Sequence, residues 1–222
     1  MSKRVLLLAW LASCVCSFAA AQGEAKSGTI DFNSLKPSRI VTPIFSEIVV
    51  RPYPEGFVEA YEHTHGDNYI NEMVLKGETV DQWSQMVTTT GRQGLSSTAN
   101  LTPEIFLARI ASGFKHACPE TFSAKGIGST TISGHNAFVA WASCGTVGAD
   151  GSVHSESSLF IAIKGTEDYY TIQWAERGPA SSQPLVYDDA KWEDRLKKLN
   201  SVKTCSRVPG EAAPFPSCVD KK

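Results

Sequence analysis

The sequence predicts an α+β fold in which an antiparallel sheet meander is packed by two main helices. One amphipathic helical pattern begins at Thr102, and a second follows Asp188 and Asp189. The remaining periodic segments are short runs rich in β-branched and aromatic residues, separated by Gly, Pro and Asn turns. Because the linkers between the later runs are too short for crossover connections, the meander should be antiparallel. Each helix can then cover part of the sheet.

Four strands are predicted before the first helix. They are separated by turns at residues 52–56 and 63–68, where Pro, Gly, Asp and Asn are concentrated. The clearest alternation of side chains belongs to the third run, which suits a strand with two different faces. The four runs are Ile44–Arg51, Phe57–Glu62, Tyr69–Leu75 and Ser84–Thr90.

The first helix has a well-defined beginning and end. Thr102 is a suitable N-cap, Pro103 suits the first helical position, and Glu104 lies near the positive end of the helix dipole. Pro119 should end the helix. The apolar face between them consists of Ile105, Phe106, Leu107, Ile110 and Phe114.

Four further strands and a closing helix follow. The strands are predicted at Gly126–Ile132, Ala137–Cys144, Leu159–Lys164 and Tyr169–Trp174. In the closing helix, Trp192, Leu196 and Leu199 fall at the spacing of one helical face, with basic residues on the other side.

The N-terminal residues 1–21 have the pattern of a secretory signal peptide. Two basic residues precede the apolar run Val5–Ala12, and small residues end at Ala21. The run is too short for a membrane-spanning helix, which needs roughly 20 apolar residues. Cleavage after Ala21 would release a free periplasmic or secreted protein. The segment Leu11-Ala12-Ser13-Cys14 also resembles a bacterial lipobox, and lipidation of Cys14 would instead tether the chain to a membrane.

The rest of the chain is predicted to form one domain with extensions. Residues 22–43 should be an extended lead-in, residues 44–204 a single α+β domain, and residues 205–222 an irregular tail. The formal net charge of the 222-residue chain is −2, so no basic field attracts nucleic acid. We expect neither a membrane span nor a bound cofactor.

Four cysteines follow the predicted signal: Cys118, Cys144, Cys205 and Cys218. In an oxidising compartment an even number favours two disulfides. Three pairings are open, and we favour Cys118 with Cys144 and Cys205 with Cys218. The second bridge would cross-link two positions within the tail.

The order of elements over residues 44–204 resembles the PsbP-like superfold, which includes a Ran-binding nuclear-import factor family and the DcrB/LpqN-type bacterial envelope proteins. The stretch from Gly77 to Met86 is also similar to a group of exported proteobacterial proteins. The resemblance implies a protein that binds other proteins or supports assemblies, and it carries over no catalytic residues. The two cysteine pairs and the long tail are not general features of the superfold. The residues that carry the resemblance are Gly77-Glu78-Thr79, Trp83-Ser84-x-Met86, Thr102-Pro103-Glu104, Gly134-x-x-Ala137-Phe138, Tyr169–Trp174, Trp192 and Leu196.

His63 and His65 are the candidate metal ligands. Side chains at i and i+2 share one face of an extended segment, and Asp67 or Glu72 could add an oxygen ligand of the kind that zinc accepts. The same segment also reads as an ordinary polar turn.

No catalytic motif occurs in the chain. There is no Gly-x-Ser-x-Gly nucleophile elbow, and the carboxylates are scattered. The sequence therefore predicts a non-enzymatic binding protein of the bacterial periplasm or envelope. Its partner would be another envelope protein, with this chain acting as an assembly factor or as an inhibitor or immunity protein. The alternatives are an envelope hydrolase whose site forms only in three dimensions, and a weak metal-binding module that uses His63 and His65.

Overall fold

Ten strands form two antiparallel sheets in residues 39–148 and 153–219, the part of the chain that the computed structural model describes. In chain order they are β1 (Arg39–Ile44), β2 (Glu47–Pro52), β3 (Phe57–His65), β4 (Asn68–Leu75), β5 (Gln85–Arg92), β6 (Phe122–Ile132), β7 (His135–Val147), β8 (His154–Lys164), β9 (Tyr169–Gly178) and β10 (Lys203–Ser206). The small sheet has the order β1-β2-β10, and the large sheet has the order β3-β4-β5-β9-β8-β7-β6. The predicted α+β class is confirmed.

Helix α1 (Pro103–Ala117) carries the chain from β5 to the far edge of the large sheet, where β6 begins. The Thr102 side chain accepts a hydrogen bond from the backbone N–H of Ile105 at 3.2 Å, as an N-cap does. The helix ends at Ala117, two residues before Pro119. Both ends agree with the signals in the sequence.

The two faces of the large sheet have different coverings. Because strand side chains alternate, Phe138, Ala140 and Phe160 point to one face, where they pack with Leu107 of α1. Val139, Trp141, Leu159 and Ile161 point to the other face, in the larger core. That core also holds Ile44 and Val49 from the small sheet. The layers are therefore α1, the large sheet, and then the small sheet together with a second helix.

The second helix, α2 (Asp189–Leu199), begins at its predicted cap. The Asp188 carboxylate accepts from the backbone N–H of Lys191 at 3.0 Å. Trp192 and Leu199 are buried, and the Trp192 ring lies 6.3 Å from the ring of Trp141. The apolar stripe seen in the sequence thus faces the core.

The chain around residue 44 differs from the prediction. The single strand expected at Ile44–Arg51 is two strands, β1 and β2, joined by a turn in which Phe45 has φ of 52°. Residues 39–43, expected in the lead-in, belong to β1. Pro43 is tolerated because β1 is an edge strand, where a missing N–H breaks no ladder. The rest of the lead-in and the predicted signal peptide lie outside the described residues.

Two other segments are more regular than expected. The predicted turn at residues 63–68 begins later, because β3 continues to His65 and the chain reverses at Gly66, whose φ is 56°. The predicted irregular tail contributes β10, which pairs with β2, and a short helix α3 (Pro216–Val219). The pairing of β10 was missed because its partner lies about 150 residues away in the sequence.

Candidate functional site

Strand β6 forms one edge of the large sheet and pairs only with β7 among the described residues. A β-bulge interrupts this pairing, since Gly126 faces Ala140 and Gly128 faces Val139. Ile127 is the extra residue, and its side chain is 37% exposed. Outer backbone groups of an edge strand are free to pair with another chain.

A first groove, the α1-side groove, runs along the N-terminal half of β6. Ala124 and Gly126 leave a space of about 390 Å³ between this half and α1. Leu107 and Phe138 form apolar walls, and Lys115 lies at the rim.

A second groove, the α2-side groove, runs along the other half of β6 on the opposite face. Its volume is about 530 Å³. Gly128 and Ile132 contribute from β6, while Val139, Ile161 and Leu196 provide apolar surface from β7, β8 and α2. The two grooves lie on opposite faces of the sheet because of the bulge, since its one extra residue inverts the alternation of side chains along β6.

A charged side chain on an edge strand usually discourages pairing with other chains, but on β6 this side chain points away from the edge. Lys125 is the charged residue of β6. Its ammonium lies 2.9 Å from the Asp189 carboxylate and 4.0 Å from the centroid of the Tyr187 ring. Lysines on edge strands discourage pairing with other chains, and here that lysine is folded back toward α2.

The structure places the two candidate metal ligands on one face of β3, as the i and i+2 spacing requires. The His63 and His65 rings are exposed, their centroids lie 6.2 Å apart, and their planes differ by 13°. Glu72 is opposite Tyr61 on the neighbouring strand, and burial raises its pKa. No group of three His, Cys, Asp or Glu side chains in residues 39–148 and 153–219 is arranged to hold a metal ion. Metal binding by the two histidines stays a prediction.

The cysteines lie in two pairs at disulfide distance. Cys118 and Cys144 have sulfurs 1.94 Å apart and join the end of α1 to β7. Cys205 and Cys218 have sulfurs 2.02 Å apart and join β10 to α3. Cys14, the candidate lipidation site, lies outside the described residues.

A buried carboxylate that the sequence did not single out connects the two sheets. Asp168, between β8 and β9, is 1% exposed. Its oxygens accept hydrogen bonds from Ser46, Gly94 and Tyr170. Burial opposes its ionisation, but these hydrogen bonds outweigh burial and lower the pKa of Asp168.

A buried cation lies between β2 and β4. Arg51 is 2% exposed, and its guanidinium donates to the side chains of Asn71 and Met73. Asn71 in turn donates to the Glu59 carboxylate at 2.9 Å. Burial lowers the pKa of Arg51, while the neighbouring carboxylates of Glu59 and Glu62 oppose that effect.

Sequence reasoning missed the two grooves beside β6. The available signal was Ala124, Gly126 and Gly128, three small residues in a run otherwise typical of a strand. These small residues indicate grooves only once it is known that β6 is an edge strand and which helix covers each face of the sheet. Neither property is visible in local periodicity.

No helix in the described ranges is both long enough and apolar enough to cross a membrane.

No protein-family model matches the chain, and no curated protein matches it. Several solved structures are similar, among them three from bacteria. The solution structure of the cyanobacterial PsbP protein CyanoP from Synechocystis sp. PCC 6803 is 9% identical, with a TM-score of 0.44, over 79% of this chain and 96% of that one. LpqN, described as involved in cell envelope biogenesis of Mycobacterium tuberculosis, is 12% identical, with a TM-score of 0.37, over 76% and 92%.

The third is a crystal structure from Bacteroides thetaiotaomicron VPI-5482, 9% identical with a TM-score of 0.42, matched over 81% of this chain. The present chain spans about half of that protein, 52% of its length. At these identities the likenesses concern the fold alone.

Proposed function

We propose that this chain is an exported, non-enzymatic binding protein of the bacterial periplasm or envelope. We further propose that it binds an extended segment of another envelope protein along β6. The observation that carries the proposal is that β6 is an edge strand with no second strand partner among the described residues and with an apolar groove on each of its two faces. In strand addition, backbone hydrogen bonds supply affinity and pockets for alternate side chains supply specificity.

The dimensions of β6 suit this mode of binding. The strand has 11 residues, divided by the bulge into halves that face different grooves. A segment paired with Phe122–Gly126 would direct large side chains into the α1-side groove. A segment paired with Gly128–Ile132 would direct them into the α2-side groove. Ala124, Gly126 and Gly128 leave room for partner side chains to reach across β6.

The cysteine pairs support export. Disulfides persist in oxidising compartments and are rare in the cytosol. The pairing of Cys118 with Cys144 and of Cys205 with Cys218 is therefore consistent with the signal-like pattern of residues 1–21.

Site-specific photo-crosslinking in intact cells tests the proposal. A photoreactive residue placed at Ile127 or Thr131 should form a discrete adduct with an envelope protein. The same residue at Tyr61, which is 44% exposed and lies on β3 at the opposite edge of the large sheet, is the control. The adduct should disappear in Ile127→Asp, because a charge at the bulge disfavours strand addition, and it should persist in Tyr61→Asp. Equal adducts at both positions, or none at β6, would contradict the proposal.

A further inference from the structure

A third groove lies beside α1 at a different part of the large sheet. Its floor is formed by side chains of β5 and β9, including Thr90, Thr171 and Gln173. The registers place Thr90 opposite Thr171 and Thr88 opposite Gln173, so these side chains share the face on which α1 packs. The groove measures about 390 Å³, which is within the size range of small-molecule sites, about 300–1,000 Å³.

One wall of this groove is apolar and held in place. Phe106 and Ile110 of α1 line it together with Leu95. The Phe106 ring packs on Tyr169, with 4.9 Å between centroids, and the capped start of α1 fixes its direction. An apolar ligand group would therefore meet a preformed surface.

The polar floor keeps unused hydrogen-bonding capacity. The Thr90 and Thr171 hydroxyls bond to each other, which uses only one of their two hydrogens. The Gln173 amide nitrogen donates to Ser158 at 3.0 Å, which leaves the amide oxygen as an acceptor toward the groove. The floor can thus both donate to a ligand and accept from it.

Two opposite charges lie at the rim without pairing with each other. Asp67 and Arg92 both line the groove. Their segments are adjacent, since the backbone N–H of Gln93 donates to the carbonyl of Asp67 at 2.9 Å. The Asp67 carboxylate accepts from Asn68. Within residues 39–148 and 153–219, no carboxylate lies within 4 Å of the Arg92 guanidinium, as one would in an ion pair.

We propose that this groove binds a free α-amino acid with an apolar side chain. The guanidinium of Arg92 suits a carboxylate, to which arginine can donate two parallel hydrogen bonds. The carboxylate of Asp67 suits an ammonium group. The ligand's side chain would pack on Phe106 and Ile110, and its remaining polar atoms would meet the floor. This ligand complements the two rim charges and the apolar wall together.

Calorimetric titration of the mature protein with L-phenylalanine and L-leucine tests the proposal. Phenylalanine amide lacks the carboxylate and N-acetylphenylalanine lacks the ammonium, so each should bind at least tenfold more weakly, a loss of about 1.4 kcal/mol. Glycine, which lacks the apolar group, should bind weakly as well.

The variants Arg92→Gln and Asp67→Asn should each weaken binding of phenylalanine about tenfold or more. Both residues are exposed, so folding should be unaffected. Arg109→Gln, an exposed position of α1 outside the groove lining, is the matched control and should bind as the unaltered protein does. Absence of binding up to about 10 mM ligand, or equal binding of the amide, would overturn the proposal. Undiminished binding by Arg92→Gln would overturn it too.

Discussion

Ser46 donates two hydrogen bonds to the same oxygen of Asp168, one from its backbone N–H at 3.0 Å and one from its hydroxyl at 2.6 Å. Ser46 lies in the turn between β1 and β2 of the small sheet, whereas Asp168 precedes β9 of the large sheet. Gly94 donates to the other carboxylate oxygen at 2.7 Å. This carboxylate therefore fixes the small sheet against the end of the large one.

Replacing Asp168 with Asn should destabilise the protein by about 2–4 kcal/mol, because an amide cannot accept all the hydrogen bonds that converge on the carboxylate. Urea unfolding measures the change. Glu167→Gln in the same turn is the matched control, since Glu167 is exposed and its variant should differ by less than about 0.5 kcal/mol. Equal stability of the two variants would show that Asp168 does not connect the sheets.

The lowered pKa of Asp168 gives stability a specific dependence on pH. A carboxyl group whose pKa is lower in the folded than in the unfolded state stabilises the fold fully above the unfolded value, about 3.9. That contribution is lost as pH falls through the folded value. The difference in unfolding free energy between the native chain and Asp168→Asn should therefore shrink between about pH 5 and pH 2. A difference that stays constant over this range would contradict the assignment.

Each disulfide should contribute about 2–4 kcal/mol, since the bridges close segments of 26 and 13 residues. The Cys118→Ser/Cys144→Ser pair of substitutions should lower the midpoint of denaturant unfolding for the whole domain. The Cys205→Ser/Cys218→Ser pair should also expose Ile48 and Val50, which pack against Cys218. Thiol titration of the unreduced, denatured protein checks the bridges directly, and free thiols from all four cysteines would contradict both.

Arg51→Ala should cost about 3–5 kcal/mol, because it removes one member of a buried polar network and leaves the Asn71 oxygen without its donor. The double variant Arg51→Met/Asn71→Leu should recover more than half of that loss by replacing the network with apolar contacts. Thermal unfolding of Arg51→Met, Asn71→Leu and the double variant measures the coupling between the two positions. Strict additivity of the two substitutions would show that the residues do not act together.

Two glycines offer opposite outcomes for the same substitution. A Cβ on Gly145 would lie 2.5 Å from the carbonyl oxygen of Gln183 and 2.6 Å from that of Ser181, so Gly145→Ala must displace backbone. We expect it to destabilise by about 1–3 kcal/mol. For Gly113, within α1, no atom of the described residues lies within 4 Å of the Cβ position, so Gly113→Ala should stabilise by up to about 1 kcal/mol. Chemical denaturation of both variants checks the signs.

Local signals in the sequence were enough to find both long helices. Thr102 and Asp188 cap them as their residue types indicate. Most strands were also found, because alternation and turn residues act over short distances. The split at Phe45 was missed, since positive φ at a phenylalanine has no common sequence signal.

The parts that could not be predicted depend on long-range pairing and burial. Nothing near Arg51 or Asp168 distinguishes them from surface charges, and their burial results from the meeting of two sheets. The grooves likewise depend on β6 being an edge and on helices that cover only part of each face. His63 and His65 were correctly expected to share a face, because that follows from spacing alone.

The pairing of β5 with β9 joins residues far apart in the chain, with Thr90 opposite Thr171, 81 positions later. A polypeptide that emerges N-terminus first, from a ribosome or a translocation pore, can form the β3–β4–β5 meander early. It cannot join that meander to the rest of the sheet until β9 has followed. During this interval the outer edge of β5 is unpaired, a condition that favours aggregation. The strand order therefore makes completion of the sheet a late event, because the edge of β5 acquires its partner only after β9, residues 169–178, has emerged.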